Sequence, residues 1–307
     1  MIKISIIIPT FNRGLLLKNV LEDISEQTFQ DIELIIIDDH SIDATEEVIH
    51  LFQLGHPNLK VYYLKNLGNG QRDAKKQGLE IASGEYILFL EDDIRLKNKV
   101  FLEKIVSLAM PTTVLQSKII MQDKGEVEFD CEYWLNTYLN RPFFILEWCN
   151  FKKNYGKIAL KVFPIMETWV LFHQSLKKYF IDENLIKDAY GESFVSGIQL
   201  IRNSIKILLS PESVIYHLWS ETWGSKKFDK KALIRGFSEF HYWYFYNMVY
   251  IQSRFLPVSI IIWLPFYIGK CCVAVLINWD FVWMYRNGLT PIARSLWKFF
   301  IKRGWKN

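Results

Sequence analysis

The stretch YILFLEDDI, residues 86–94, runs from apolar and aromatic residues directly into three adjacent carboxylates. A short apolar run bounded by polar residues predicts a buried strand. Carboxylates at its end are costly, because mutual repulsion and burial both disfavour ionised acids. The sequence therefore predicts that Glu91, Asp92 and Asp93 share a partner that offsets their charge.

On the N-terminal side of this stretch, strand-length apolar runs alternate with helix-length amphipathic segments. This alternation is typical of right-handed βαβ crossovers, which build a parallel sheet covered on both faces. Glycine and proline residues at the segment boundaries agree with this interpretation. The predicted strands are 3–8, 32–37, 60–64 and 86–90, and the predicted helices are roughly 13–26, 43–54 and 70–82.

Acidic residues follow two of these predicted strands. Asp38 and Asp39 come after the second strand, and the three carboxylates from Glu91 to Asp93 come after the fourth. In open α/β sheets, ligands bind outside the carboxyl ends of the strands, so we expect both sets to face one crevice. Carboxylate oxygens suit Mg²⁺ or Mn²⁺, and such an ion can also hold the phosphates of a substrate.

The composition fits a folded enzyme and does not favour a nucleic-acid partner. The 307 residues can bury a large core, and 37 basic against 33 acidic residues leave a net charge of only +4. That surplus is too small to indicate nucleic-acid binding unless it is clustered. The four cysteines show no metal-ligand spacing, and the N-terminus does not resemble a signal peptide, so we expect a reducing, cytosolic environment.

Five motifs, taken in order, resemble one known family. They are SIIIPTFNR (5–13), IIIDDHSIDAT (35–45), NLGNGQRDAKKQGLEIASGEYILFLEDD (66–93), FIDENL (180–185) and PESVIYH (211–217). Their order and spacing resemble the inverting family-2 glycosyltransferases with a GT-A fold. The resemblance implies a mostly parallel α/β sheet flanked by helices. It also implies a nucleotide-sugar donor, with UDP as the expected nucleotide, an acceptor hydroxyl, and Mg²⁺ or Mn²⁺ on the diphosphate.

On the donor side, the resemblance assigns roles to the loops after the first two strands. Pro9, Thr10 and Asn12 fall in the loop that lies against the nucleotide. Asp39 occupies the position that recognises the base or ribose, with Asp38 as the neighbouring candidate, since carboxylates accept hydrogen bonds from both groups. The alternative is that the two aspartates only stabilise the following turn.

Three basic residues, Arg72, Lys75 and Lys76, follow the GNG segment at 68–70, near the expected diphosphate. Arg72 and Lys75 could each form a charge-assisted contact with phosphate. The alternative is a solvated helix face, which is the usual place of basic residues on helices.

The DxD motif of the family aligns with Glu91 and Asp93, which gives an ExD variant around Asp92. Asp93 is the expected metal ligand, Glu91 can reach the metal or the sugar, and Asp92 is a further donor contact. His217 matches a histidine beside the metal or diphosphate, a role that imidazole can fill. The alternative is that Asp93 caps a helix.

On the acceptor side, the sequence departs from the family pattern. Counting back from Pro211 places Glu192 and Ser193 where relatives have Glu-Asp, so the usual catalytic Asp is replaced by Ser193. A serine hydroxyl is no base at neutral pH unaided, whereas Glu192 can accept the acceptor's proton. Asp188 is the reserve candidate. Trp169 falls where relatives place an acceptor-side wall, and a buried core position is the alternative.

The composition changes in the C-terminal part of the chain. We expect a GT-A domain in 1–225, with a nucleotide-sugar half in 1–95 and an acceptor half in 96–225, followed by a helical, membrane-associated region in 226–307. The apolar window 255–279 is long enough to span a bilayer, but prolines and a lysine interrupt it. Surface association, spanning and a soluble packing face stay open.

A location at the cytoplasmic face of the membrane, peripheral or anchored through 255–279, favours a lipid-linked glycan as acceptor. Two other functions stay open. A sugar-phosphate nucleotidyltransferase shares the sheet, but PTFNRG stands where its glycine-rich, basic loop would follow the first strand. A non-catalytic, membrane-associated protein that binds sugar nucleotides is suggested by Ser193 at the base position.

Overall fold

A computed structural model describes residues 3–68, 70–123, 125–128, 169–182 and 192–218. The strands are β1 (Ile4–Thr10), β2 (Ile32–Asp38), β3 (Lys60–Lys65), β4 (Tyr86–Phe89), β5 (Ile94–Arg95), β6 (Thr113–Asp123), β7 (Gly125–Glu128), β8 (Val170–His173) and β9 (Lys206–Leu218). The helices are α1 (Gly14–Ser25), α2 (Thr45–Gly55), α3 (Gln71–Ile81), α4 (Phe101–Ser107) and α5 (Glu192–Arg202), with a 3-10 helix at Gln174–Tyr179.

These strands form one mixed sheet in the order β3-β2-β1-β4-β8-β6-β9-β5, with β7 beside β6. The four strands β3, β2, β1 and β4 are parallel. Every residue of β1 and β2 is buried, which explains why both are unbroken apolar runs in the sequence. The strands and helices predicted for this half are confirmed, with ends that differ by no more than two residues.

Helices cover both faces of this parallel half. Ile6 and Ile8 share a core with Leu17 and the other buried residues of α1. Ile7 lies on the opposite face, because successive side chains of a strand alternate. A Cβ atom at Gly78 of α3 would lie 2.5 Å from Ile7 Cγ2, so a glycine there lets α3 pack closely on β1.

The rest of the sheet is mixed. β8 pairs antiparallel with β4 and with β6, and β9 pairs parallel with β6. The two-residue strand β5 is antiparallel to β9, with Ile94 opposite His217. This pairing brings the chain after β4 alongside the end of β9.

No helix in the described residues is both long and apolar enough to cross a membrane. The region 226–307, with its apolar window 255–279, lies outside the described residues.

Candidate active site

Two of the three carboxylates that follow β4 meet His217 at the end of β9. His217 Nε2 lies 3.3 Å from Glu91 Oε2 and 3.4 Å from Asp93 Oδ1. The backbone holds the two segments together, since Leu218 N donates to Asp93 O at 2.8 Å. One ligand atom from each of the three residues lies within 4.8 Å of the other two. This spacing defines a candidate metal site, which we call the ExD–His cluster: Glu91, Asp93 and His217.

Polar atoms of the ExD–His cluster are buried without hydrogen bonds. Within the described residues, Glu91 Oε2, Asp93 Oδ1 and His217 Nδ1 have no hydrogen-bond partner. Buried polar atoms are nearly always paired, so two carboxylate oxygens without a hydrogen bond fit a candidate cation site. Two carboxylates and an imidazole suit Mn²⁺, and the carboxylates also suit Mg²⁺.

The protonation of the cluster reflects excess negative charge. Burial raises the pKa of Asp93 to about 7, and the charge of Glu91 adds to the effect. Burial lowers the pKa of His217, but the nearby Glu91 and Asp93 outweigh it, so the net pKa of His217 is raised. Perturbed acids of this kind gather at functional sites, because a bound cation can offset their cost.

Asp92 lies outside the ExD–His cluster. Its Oδ2 accepts a hydrogen bond from Thr10 Oγ1 at 2.8 Å, and its Oδ1 accepts one from Arg13 Nη1 at 2.8 Å. Arg13 Nη1 also donates to Asp93 Oδ2 at 2.9 Å. Asp92 is only 3 % exposed, so its surroundings fit a supporting role and do not favour the predicted donor contact.

Sequence reasoning missed Arg13. Two signals pointed to it: its place at the end of the PTFNR loop, and three adjacent carboxylates that need more than one cation. The alternative that Asp93 caps a helix is wrong, because Asp93 is followed by β5 and the next helix begins only at Phe101.

Asp38 lies in a separate buried network. Its Oδ1 accepts a hydrogen bond from Ser41 N at 2.8 Å, and its Oδ2 accepts from Tyr63 Oη at 2.9 Å and from Lys65 Nζ at 2.7 Å. Burial would raise the pKa of Asp38, but the hydrogen bonds from Lys65 and Ser41 outweigh it and lower the pKa. The side chain is fully buried, so Asp38 stabilises the turn and offers no exposed oxygen to a ligand.

Asp39 fixes the glycine-rich loop after β3. Its Oδ1 accepts a hydrogen bond from Asn66 Nδ2 at 2.8 Å, and Gly70 N lies 3.0 and 3.1 Å from its two oxygens. Gly70 has φ 87°, a conformation that glycine adopts at little cost. Asp39 is half-buried, and a carboxylate has about four acceptor positions, so it keeps capacity for a ligand.

The loop after β1 is tied to the loop after β2. Asn12 N donates to Ser41 Oγ at 2.8 Å, and Asn12 Oδ1 accepts from Ile42 N at 2.8 Å. Pro9 and Thr10 are the last two residues of β1, and both are buried. Asn12 therefore ties the two loops together at the carboxyl ends of β1 and β2, and the contact of Pro9, Thr10 and Asn12 with a nucleotide stays a prediction.

Arg72 and Lys75 both lie on α3 but in different surroundings. Arg72 Nη2 donates to Asp73 Oδ1 at 2.9 Å. Lys75 is only 3 % exposed, and its Nζ lies 5.4 Å from the centroid of the Phe89 ring. The alternative of a solvated helix face is therefore wrong for Lys75. Among the residues that the structure describes, no carboxylate forms an ion pair with this buried ammonium group.

A family model described as Glycosyl transferase family 2 matches residues 5–176. This range holds the first four strands and the three carboxylates, and it is more than half of the 307 residues. The chain belongs to glycosyl transferase family 2. The resemblance predicted from the motifs is thus confirmed, and the protein is a glycosyltransferase by family.

Two curated glycosyltransferases each match about a third of this chain. The GalNAc(5)-diNAcBac-PP-undecaprenol beta-1,3-glucosyltransferase of Campylobacter jejuni is 41 % identical over 94 residues, which are 31 % of this chain and 30 % of that protein. Glycosyltransferase GlyG of Streptococcus pneumoniae is 37 % identical over 98 residues, or 32 % of each chain. The chain thus matches about a third of the length of these relatives.

Solved structures share the family-2 GT-A fold. S. aureus TarS 1-349 in complex with UDP-GlcNAc superimposes with a TM-score of 0.53 at 16 % identity, over 82 % of this chain and 73 % of that one. The mannosyltransferase PcManGT of Pyrobaculum calidifontis, in complex with GDP-Man and Mn²⁺, gives a TM-score of 0.54 at 14 % identity, over 96 % and 84 %. At these identities the likeness establishes the fold, and it confirms the fold class predicted from the sequence.

The acceptor side of this family-2 chain is described in part. Glu192 and Ser193 are the first two residues of α5, but their side chains, and the whole of Asp188, lie outside the described residues. Trp169 is 4 % exposed, and its ring meets the His217 ring edge-on, with 5.3 Å between centroids. The alternative of a buried core position therefore fits Trp169 better than an exposed position on the acceptor side.

Proposed function

We propose that the protein is a metal-dependent, inverting glycosyltransferase that moves a sugar from a nucleotide-sugar donor to an acceptor hydroxyl. The observation that carries this proposal is the ExD–His cluster at the carboxyl ends of the sheet. It offers two orphaned, buried carboxylate oxygens to a cation, at the edge where open α/β sheets bind their ligands.

In this proposal, Asp93, Glu91 and His217 hold Mg²⁺ or Mn²⁺. A divalent ion there offsets the charge that builds on the departing nucleoside diphosphate. The residues fit such an ion, because their donor atoms are already gathered and lack other hydrogen-bond partners. The Mn²⁺ complex of PcManGT, which has the same fold, supports the choice of metal.

We assign the nucleotide to the region beside Asp39, and we expect it to be UDP. The half-buried carboxylate of Asp39 can accept hydrogen bonds from a base N–H or from ribose hydroxyls. Lys75 is assigned to the diphosphate, because its buried ammonium group has no carboxylate partner among the described residues and is suited to an anion from the ligand. Related structures contain UDP-GlcNAc, UDP or GDP-Man, so the base is a matter for experiment.

Glu192 is our candidate general base. Its carboxylate would take the proton from the acceptor hydroxyl while that oxygen attacks the anomeric carbon. The bond from the anomeric carbon to the diphosphate oxygen breaks in the same step, so the sugar is transferred with inversion. Support comes from the position of Glu192 at the start of α5 and from the motif spacing, and Asp188 stays the reserve candidate.

For the acceptor, we propose a lipid-linked glycan at the cytoplasmic surface of a membrane. The name of the Campylobacter relative specifies an undecaprenol-linked substrate. The apolar and aromatic composition of 226–307 is consistent with contact to a membrane surface. None of the comparisons supports a nucleotidyltransferase or a non-catalytic sugar-nucleotide-binding protein.

A thermal-shift panel tests the donor site. The purified protein is heated with UDP, GDP, dTDP or CMP, and with their sugar conjugates, each with Mn²⁺, with Mg²⁺ or with EDTA. One nucleotide should stabilise the protein only with metal, by about 2.7 kcal/mol at 100 times its Kd. Asp93→Ala should abolish the effect, and Asp31→Ala, at an exposed acid, should keep it. A metal-independent shift of equal size in all three proteins would contradict the proposal.

A further inference from the structure

Arg13 bridges two of the three carboxylates through a single nitrogen. Its Nη1 donates to Asp92 Oδ1 at 2.8 Å and to Asp93 Oδ2 at 2.9 Å. The Arg13 side chain is 18 % exposed, while those of Asp92 and Asp93 are 5 % and 6 % exposed. Charge-assisted bonds between groups this buried hold their partners in a fixed geometry.

These bonds divide the two oxygens of Asp93 between two tasks. Oδ2 is held by Arg13, whereas Oδ1 is buried without a hydrogen bond, 3.4 Å from His217 Nε2. A carboxylate that is fixed through one oxygen presents the other in a defined direction. The orientation of the Asp93 carboxylate therefore depends on Arg13, which is not itself a candidate ligand.

The charge of Arg13 compensates one of the three carboxylates and leaves the other two. Asp92 has Arg13 and Thr10 as partners, so the Asp92–Arg13 pair is neutral by itself. Glu91 and Asp93 are left with two negative charges, which equal the charge of one divalent cation. Without Arg13, Asp92 would be a third buried, uncompensated charge, which is costly.

We propose that Arg13 is a positioning residue for the metal site: it holds Asp93 so that Oδ1 faces Glu91 and His217, and it neutralises Asp92. This inference rests on the proposed function, since it assumes that the ExD–His cluster binds a divalent ion. Residues that hydrogen-bond to metal ligands typically change the metal affinity by about 10- to 100-fold when they are replaced.

Arg13 also links the metal site to the loop after β1. Arg13 belongs to this loop, Thr10 ends β1 directly before it, and both side chains donate hydrogen bonds to Asp92. Asn12 of the same loop bonds the loop after β2, which begins with Asp39. A change in this loop on nucleotide binding would therefore reach Asp93 through Arg13.

Titration with Mn²⁺ alone, followed by the electron paramagnetic resonance signal of the free ion, tests the proposal without turnover. Arg13→Met removes the charge and the donors and keeps the stem, and Arg13→Lys keeps the charge. We expect Arg13→Met to raise the Mn²⁺ Kd by at least tenfold, and Arg13→Lys to recover part of the loss. Lys60→Met is the matched control, since Lys60 pairs with the buried Glu33 near the start of β2, at the other end of the sheet.

Each outcome separates the explanations. If Arg13 acted only by repelling the metal, Arg13→Met would bind Mn²⁺ more tightly than the wild type. If Arg13 only supported the fold, Arg13→Met and Lys60→Met would both lose thermal stability and keep the wild-type Kd. Either result would overturn the inference. A wild-type protein that binds Mn²⁺ no better than Asp93→Ala would instead overturn the metal site on which it depends.

Discussion

Replacing Asp93 by Asn should stabilise the metal-free protein and abolish its response to metal. Asn has nearly the shape of Asp and mimics its neutral form. Burial and the charge of Glu91 raise the pKa of Asp93 from 3.8 to about 7, so the folded state disfavours the ionised acid. A buried, ionised carboxylate beside a second one destabilises the fold, and Asn removes that cost.

The size of the effect follows from the pKa. A change from 3.8 to about 7 corresponds to about 4 kcal/mol at 1.36 kcal/mol per pH unit. Because the folded-state pKa is raised, the folded protein binds more protons than the unfolded chain. Wild-type stability therefore falls as the pH rises from about 4 to about 7, and the full cost is present above that range. Since Asn weakens the bond from Arg13, we expect a gain of about 1–4 kcal/mol at pH 8.

Urea unfolding in EDTA between pH 5 and 8.5, repeated with Mn²⁺, measures both halves of this prediction. In EDTA, Asp93→Asn should be more stable than the wild type at pH 8, and the difference should shrink towards pH 5. With Mn²⁺, the wild type should gain stability and the variant should not. The exposed Asp31→Asn should follow the wild type throughout. A less stable Asp93→Asn in EDTA at pH 8, or an equal gain from Mn²⁺, would refute the reasoning.

Three further predictions concern other parts of the chain. Lys75→Met should stay folded and raise the donor KM by about tenfold or more, because the buried contact between the ammonium group and the phosphate is lost. An unchanged donor affinity in calorimetry would exclude this contact. Glu192→Gln should lower kcat by about 10²-fold or more without weakening donor binding, and Asp188→Asn should leave kcat unchanged. A large loss of kcat in Asp188→Asn with none in Glu192→Gln would identify Asp188 as the base. Burial would raise the pKa of Glu33, but hydrogen bonds from Ser5 and Ser83 lower it. The contribution of the ionised Glu33 side chain to the free energy of unfolding is therefore complete above a pH of about 4.5 and is lost as the pH falls. Glu33→Gln should cost about 2 kcal/mol at pH 7 and less near pH 3, and a loss that is the same at both pH values would contradict this account.

The parallel half of the fold could be predicted because its signals are local. Strands β1 and β2 are buried at every position, so each is an uninterrupted apolar run. The turns between them carry glycine, proline and aspartate at the segment ends. The mixed half has no such signal: the two-residue strand β5 is too short to leave a pattern, and it exists because β9 pairs with it.

The sequence predicted which candidate ligands lie together, but not the residues that hold them in place. Motif spacing selected Glu91, Asp93 and His217, which the structure brings together. It favoured Asp39 but could not exclude the adjacent Asp38, because the two aspartates differ in burial and in hydrogen-bond partners, which only the fold determines. The bonds from Arg13 to Asp92 and Asp93 likewise depend on how the first loop folds over the fourth strand.

The pairing of β5 with β9 joins the segment after β4 to the end of β9. Asp93, directly before β5, and His217 of β9 are therefore neighbours, and Leu218 N donates a hydrogen bond to Asp93 O. Helix α5, which begins at the candidate base Glu192, packs against the same strand β9. A cation held by Glu91, Asp93 and His217 would therefore stabilise the strand against which α5 packs. Since binding energy at the metal then stabilises the position of α5, metal removal should weaken acceptor placement as well as donor binding.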